Sequence, residues 1–281
     1  MKIDQRKLRE EIDAVRKQNG VDKMGVASID RFKEAPAGQS PLDLLPSTQS
    51  VISLGIHLTR GAMEANRQAY RTGFRPGLYS YMVFGYSHPN SILEQAAYLI
   101  SKTLEEAGYI GIPIPASRPS DMMNLRGSLS HRHAAVAAGI ADFGWNGLAI
   151  TREVGPKIRF ISIVTDAPLP PDPLQQKICQ PEKCDYQCIK ACPLRVFNQK
   201  EFVSLHIGDR EVNYFGFKKW SCILGSYGLK KEVMGITDFQ APENPDRESF
   251  LRASSQAARE GRESERAGSC GRCMLSCPLG A

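Results

Sequence analysis

The sequence predicts a mixed α/β domain followed by a separate cysteine-rich domain, and three observations carry that reading. Short apolar runs alternate with amphipathic helices over roughly the first 168 residues, the pattern of an α/β sandwich. The stretch APLPPDPLQQK then places four prolines at 168, 170, 171 and 173, which stiffens the chain and blocks regular structure as a domain boundary would. All eight cysteines lie beyond it. The predicted division is residues 1–168 and residues 169–281.

Within the first part each element has a local reason. Residues 4–18 put Leu8, Ile12 and Val15 on one stripe of a helix. MGVASI (24–29) and SVISLGIHL (50–58) are short apolar runs that suit buried strands. The segment between them, KEAPAGQSPLDLLPS, is rich in turn formers. Residues 90–107 form the clearest helix, with Asn90 read as the N-cap, Glu94 in the first turn and Gly108 at the exit. YIGIPIPAS then reads as a strand, HRHAAVAAG (131–139) as a short, closely packing helix, and KIRFISIVTDAPL (157–169) as an interior strand. Residues 241–268 are rich in Arg, Glu and Ser and read as a solvated helix and linker.

The composition excludes several classes. At 281 residues with 42% hydrophobic and 23% charged residues the chain is a core-forming protein. No run of about 18 apolar residues exists, so no membrane span or membrane partner is expected. The N-terminus, MKIDQRKLREEIDAVRKQNG, has no apolar h-region, so the expected location is the cytoplasm, where thiols stay reduced. The formal charge of +6 alone would hint at an anionic partner. Two clusters of about −2 each would offset most of it, and nucleic acid is not expected as a partner.

The cysteines form two motifs and one solitary residue. CQPEKCDYQCIKACP holds Cys179, Cys184, Cys188 and Cys192; CGRCMLSCP holds Cys270, Cys273 and Cys277; Cys222 stands alone in KKWSCILGSYG. Each motif ends in C-x₃-C-P. Bacterial ferredoxins use a related run, C-x₂-C-x₂-C-x₃-C-P, whose fourth cysteine ligates the other cluster. That crossover predicts a ferredoxin-like domain with two [4Fe–4S] clusters. One would take Cys179, Cys184, Cys188 and Cys277; the other Cys270, Cys273, Cys192 and Cys222. Structural zinc, which often pairs two C-x₂-C units, has only one here. The first motif, C-x₄-C-x₃-C-x₃-C, is looser than the ferredoxin run and contains Pro181, so Cys179 is the ligand it supports least.

Residues 131–169, HRHAAVAAGIADFGWNGLAITREVGPKIRFISIVTDAPL, resemble a segment of the epoxyqueuosine reductases and corrinoid-dependent reductive dehalogenases. The solitary cysteine in SCILGSY resembles their isolated ligand between motifs. The resemblance implies a nitroreductase-like α/β domain that holds a base-off cobalamin against the ferredoxin-like half. The matching turn supplies Gly144, Trp145, Asn146, Gly147 and Leu148 as candidate cofactor contacts, with Arg159 a candidate for an anionic substrate or a cofactor phosphate. Two departures stand out. Where epoxyqueuosine reductases place a proton-donating aspartate, this chain has Leu125 or Arg126, and the helical repeats those enzymes use for tRNA do not follow the second motif.

Other proton donors are therefore sought among Tyr86 and His88, in SYMVFGYSHPN, and His131 at a helix start. The expected function is that of an iron–sulfur oxidoreductase. It would take electrons from a ferredoxin or flavodoxin and remove an oxygen or halogen substituent from a small molecule. The alternative is an electron-transfer or cofactor-handling protein that serves a partner.

Overall fold

The structure is a computed structural model that describes residues 4–117, 121, 123–235, 239–262 and 270–280. Helix α1 (Gln5–Gln18) starts where the Asp4 side chain accepts from the Arg6 amide, and it buries Leu8 and Ile12. Strand β1 (Lys23–Ser28) follows, then the short helix α2 (Pro41–Leu44), capped at both of its first orphan amides by Ser40 and Asp43. Strand β2 (Ser50–His57) is almost wholly buried. Helices α3 (Arg60–Thr72) and α4 (Pro76–Met82) lead into a π-helical turn, Val83–Ser87, and helix α5 (His88–Glu106).

The chain from α4 through the π-helical turn to α5 is thus continuous helix, and α5 starts two residues before the expected cap. Asn90 does not cap it. Its side chain is buried and accepts from Arg159 Nε at 2.5 Å, a tertiary bond that local sequence does not reveal. The C-terminal end is as expected. Gly108 adopts φ +84°, and the Gly108 and Tyr109 amides donate to the Glu105 and Leu104 carbonyls.

Strands β3 (Gly111–Ile114) and β6 (Ile158–Thr165) complete a four-stranded sheet in the order β1-β2-β6-β3. Every pair in it is antiparallel. One face packs against α1 and α5 through Ile52, Leu54, Ile161 and Ile163. The other packs against helix α6 (His131–Ala137) through Val51, Phe160 and Val164. The architecture is therefore a mixed α/β sandwich with small sheets. Each fully buried Ile or Leu in these layers contributes about 1.5–3 kcal/mol.

Helix α6 lies close because of one row of small residues. Gly25 on β1 pairs with Ser53 on β2, and Ser53 pairs with Ser162 on β6. A Cβ at Gly25 would sit 2.2 Å from the Ala138 carbonyl oxygen, at the end of α6. At its other end, His131 Nδ1 lies 3.0 Å from Ser162 Oγ. The alanines of α6, all buried, fill the groove.

After α6 the chain forms a tight hairpin of β4 (Asp142–Phe143) and β5 (Ala149–Ile150). Beyond β6 the prolines hold the chain free of helix and strand up to α7 (Pro181–Cys184), as expected, and two aspartates pin that stretch. Asp172 accepts two bonds from Arg9 and one from the Val26 amide. Buried Asp142 accepts from the Ile178 amide and from Arg210. Helix α8 (Gln187–Lys190) precedes a long hairpin, β7 (Phe197–Ile207) and β8 (Arg210–Phe217). Sequence patterning did not anticipate this hairpin. Ile207, Val212 and Tyr214 join the same core as α6, so the hydrophobic core runs across position 168.

Helix α9 (Lys219–Ser226) carries Cys222, and helix α10 (Arg247–Arg259) packs Ala253 and Ala257 against Leu224 and Leu229. The expected solvated helix is therefore half docked, and its linker lies outside the described residues. Helix α11 (Arg272–Leu275) belongs to the second cysteine motif.

The small-residue row makes a sharp prediction. Gly25→Ala is expected to cost about 1–3 kcal/mol by overpacking against α6, read as a lower urea midpoint at unchanged m-value. Gly61→Ala, where a Cβ meets nothing within 4 Å, is the matched control and should leave the midpoint unchanged or raise it.

Candidate functional site

The eight cysteines are all free thiols, seven of them half-buried and Cys222 exposed. Burial pushes the Cys188 thiol up to about 12, and the neighbouring Cys179, Cys277 and Cys184 push the same way. Cys179 is raised by burial and by Cys184 and Cys277, against a hydrogen bond from the Trp145 amide. The second set behaves alike. Burial raises Cys222 to about 12, with Cys270 and Cys192 adding to it. Cys273 is raised by burial and by Cys222, Cys270, Cys192 and, from the first set, Cys188. Thiols of both motifs and Cys222 thus act on one another's ionisation, Cys273 and Cys188 across the two motifs.

Crowded, desolvated thiols resist ionisation, so such a set favours a bound cation that takes up its charge. Among the described residues no three His, Cys, Asp or Glu side chains are placed to hold one metal ion. A cubane does not require that convergence, because each thiolate takes a different corner iron. The donor sets therefore fit two four-cysteine clusters.

The polypeptide around the last motif is held in place. Lys157, itself buried, donates to the carbonyls of Cys277, Leu279 and Gly280 at 3.2, 2.7 and 3.1 Å. Burial lowers its pKa while Cys277 raises it. Gly271, at φ +65°, lies against Tyr81 at a place where a Cβ would stand 2.7 Å from the hydroxyl. Burial raises the Tyr81 phenol, with Cys273 and Cys270 also raising it and Arg159 opposing them.

A cavity of about 800 Å³ opens beside the second set. Its wall includes Cys222, Arg132, His133, Leu148, Tyr214 and Lys219. Cys222 is exposed on the side that faces this cavity. The lining is mostly apolar, and Arg132 donates to the Gly147 carbonyl. His133 is fixed by Ser130 Oγ at 2.7 Å and Tyr214 Oη at 3.2 Å. Burial, helped by Arg132, lowers its pKa to about 4.

A smaller cavity of about 290 Å³ adjoins it, sharing Leu125, Gly127, Leu129 and Ile223 as wall. Tyr86, Ser117 and His131 line it, with Trp220, Tyr227 and Phe250 among its apolar lining. Tyr86 and Ser117 hydroxyls are bonded, and the Arg159 guanidinium covers the Tyr86 ring at 4.1 Å.

The sequence-selected residues divide accordingly. Tyr86 and His131 meet at the small cavity; His88 is exposed, stacks edgewise on Phe84 and lines neither cavity. His131 donates through Nε2 to the Pro115 carbonyl and accepts from Ser162, and burial lowers its pKa, so it is a neutral, oriented imidazole. Of the candidate turn, only Leu148 reaches the large cavity. Gly147, at φ +70°, closes the turn back to Gly144, and Asn146 is buried, accepting from the Leu148 amide. Trp145 stacks on Phe215 at 4.8 Å and borders Cys179. The turn thus stands between the first thiol set and the cavity. Arg159 has the same strand parity as Ile161, so it faces α5 and away from the large cavity. Arg132, Tyr214 and Lys157 were missed. Arg132 was the legible one, next to His131 at a helix start; Tyr214 sits in a hairpin that carried no signal.

The comparisons with known proteins follow this geometry. No family model matches the chain. It is 27% identical over 213 residues to an epoxyqueuosine reductase of Listeria monocytogenes, covering 68% of this chain and 53% of that protein. It is 28% identical over 184 residues to a tetrachloroethene reductive dehalogenase of Desulfitobacterium hafniense, covering 65% of this chain and 28% of that protein. The chain therefore spans about half the length of the first relative and less of the second. A selenomethionine-labelled epoxyqueuosine reductase structure shares the fold at a TM-score of 0.59 and 17% identity, covering 99% of this chain and 66% of that one. A catabolic reductive dehalogenase in complex with 3-bromo-4-hydroxybenzoic acid does so at 0.54 and 14%, covering 95% and 37%.

These relatives support a redox function for a protein built of an α/β sandwich and paired thiol sets. The chain is similar in sequence to epoxyqueuosine reductases and reductive dehalogenases and shares the fold of solved structures of both kinds.

Two predictions test the site. Cys277→Ser is expected to disturb the cluster held by Cys179, Cys184 and Cys188, seen by EPR. Loss confined to the cluster of Cys270 and Cys273 would refute the pairing. Separately, the depressed His133 pKa makes the unfolded chain bind more protons below its ordinary histidine value of 6.5. Stability should therefore fall as pH drops from about 6.5 toward 4, and His133→Gln should flatten that slope in urea melts.

Proposed function

We propose that this chain is a low-potential iron–sulfur oxidoreductase whose large cavity receives a cobalamin beside the second thiol set. One observation carries the reading: Cys222 stands on the wall of a cavity of about 800 Å³ lined by α6 and its neighbours on one side and by β7, β8 and α9 on the other. Bound there, two [4Fe–4S] clusters would supply one-electron steps, and a corrinoid would supply the reductive removal of an oxygen or halogen substituent.

The chain's own residues have distinct roles in this reading. Cys179, Cys184, Cys188 and Cys277 hold the cluster nearer an open groove lined by Arg67, Lys183 and Lys190. Cys192, Cys222, Cys270 and Cys273 hold the cavity-side cluster. Leu148, Leu129 and Leu205 offer apolar contact to a flat ligand and exclude water. The small cavity admits a small-molecule substrate, where the Tyr86 hydroxyl is placed to give a proton. A ferredoxin or flavodoxin is the electron donor, and the cytoplasm is the compartment. No helix among the described residues is long and apolar enough to cross a membrane.

One observation favours a second reading. Leu125, at φ +50°, borders both cavities where the superfamily resemblance would place a proton-donating aspartate. Asp121 is half-buried and accepts from the Asn124 side chain and the Met123 amide. Under this reading the chain passes electrons, or a cofactor, to a partner.

Anaerobic reconstitution followed by iron and sulfide analysis tests the first reading. About eight irons per chain are expected for two cubane clusters, with added hydroxocobalamin shifting to its base-off visible spectrum. Full iron with an unchanged cobalamin spectrum would overturn the corrinoid assignment and leave the electron-transfer reading. Absence of bound iron would overturn both.

A further inference from the structure

Lys157 carries a charge that no carboxylate among the described residues balances. It stands just before β6 and is only 5% exposed. Its Nζ donates to the carbonyls of Cys277, Leu279 and Gly280 at 3.2, 2.7 and 3.1 Å. Three acceptors call for three N–H donors, and only the protonated ammonium has three. The acceptors are neutral, so they satisfy the donors and leave the charge. Glu153, the carboxylate nearest in sequence, is taken up by Lys23. A buried charge without a counter-charge is costly, so this one calls for a negative group beyond the side chains around it.

The last cysteine segment is fitted to this ammonium by close packing. A Cβ at Gly155 would stand 2.7 Å from the Leu279 carbonyl oxygen, and one at Gly280 would stand 2.3 Å from the Val154 Cα. The backbone around Leu279 and Gly280 therefore lies directly on the turn that precedes Lys157. Cys277 lines the open groove together with Cys184 of the first motif, while its carbonyl faces Lys157. The ammonium is thus fixed on the backbone of a residue whose thiol belongs to the cysteine motifs.

We propose that Lys157 is the counter-charge of the cluster that Cys277 ligates, and that it raises that cluster's reduction potential. The inference rests on the reading that the cysteine motifs hold [4Fe–4S] clusters, and it stands whichever cysteines share the cluster with Cys277. Reduction adds one electron and hence one negative charge. The electron comes from a one-electron donor of lower potential, such as a reduced iron–sulfur or flavin protein, and no bond is made or broken. A cation fixed where water is scarce stabilises the reduced form more than the oxidised one, because its attraction grows with the negative charge. Net charge and solvent exposure are among the levers that set cluster potentials. Lys157 is a positioning residue: it holds a backbone and a charge in place and touches no substrate atom.

The test is an EPR-monitored redox titration of the reconstituted full chain without substrate or cobalamin. The signal of the Cys277 cluster is assigned beforehand through its change in Cys277→Ser, and the other cluster's signal is the internal control. Lys157→Gln keeps a hydrogen-bond donor beside the carbonyls and removes the charge. In that variant the Cys277 signal should titrate at a more negative potential while the control signal stays in place. The difference should persist in high salt, because a buried charge is screened little. Lys157→Arg should keep the wild-type potential. Full iron with an unshifted Cys277 signal in Lys157→Gln would overturn the proposal, and so would equal shifts of both signals. If Lys157→Gln loses iron, Lys157→Arg decides: full iron at the wild-type potential supports the role of the charge, whereas lost iron or a shifted potential there overturns it. A wild-type chain that binds no iron would instead fail the underlying reading, so the two failures are distinguishable.

Discussion

The close approach of α6 to the sheet is the constraint on which the rest of the site depends. Gly25, Ser53 and Ser162 form one row across three antiparallel strands, and a helix of alanines lies in the resulting groove. Larger side chains in that row would lift α6 and everything attached to it, because packed interiors have no slack for added methylenes. What α6 carries is considerable. His131 is anchored to Ser162 at one cavity, Arg132 and His133 turn toward the other, and the glycine turn that follows borders Cys179. A single packing decision in the α/β layer therefore positions groups on both cavities and next to both thiol sets.

The cysteine-rich half is built onto that layer rather than beside it. Asp172 and Asp142 fasten the proline-rich stretch, each with an arginine and a backbone amide as partners. Charge-assisted bonds of this kind are strong where water is scarce. The hairpin of β7 and β8 then returns to the first core, with Tyr214 stacked on Phe143 at 4.7 Å. Lys157 holds the last cysteine segment through three carbonyls. Thiols from three distant parts of the chain are thereby brought together, and a bound cluster would close the same loops, coupling metal binding to the fold.

The two cavities differ in the chemistry they can host. The larger is broad, apolar, cationic at one edge and open to Cys222, which suits a large planar redox group. The smaller offers a hydroxyl pair and a neutral histidine against aromatic walls, which suits a small molecule. Leu125 at their common boundary presents no ionisable group, whereas Tyr86 places a hydroxyl on the wall of the smaller one.

Much of this was legible in the sequence, for identifiable reasons. Helix α1, the paired inner strands and the glycine exit of α5 follow from local periodicity and capping, which act over a few residues. The two cysteine motifs were legible in the sequence, because ligand spacing within a motif is a short-range property. Other features were decided only in three dimensions. Asn90 looks like a helix cap and serves instead as an acceptor for Arg159, since the π-helical turn before it keeps the backbone helical. The turn at Gly144–Leu148 looks like a cofactor cradle, yet strand pairing and the Trp145–Phe215 stack turn most of it inward. Arg159 faces away from the large cavity by strand parity. Sequence determined the elements and the donor groups, because propensity and spacing are local. Tertiary structure decided which charge faces which cavity, because burial and electrostatic pairing depend on neighbours that the chain order does not reveal.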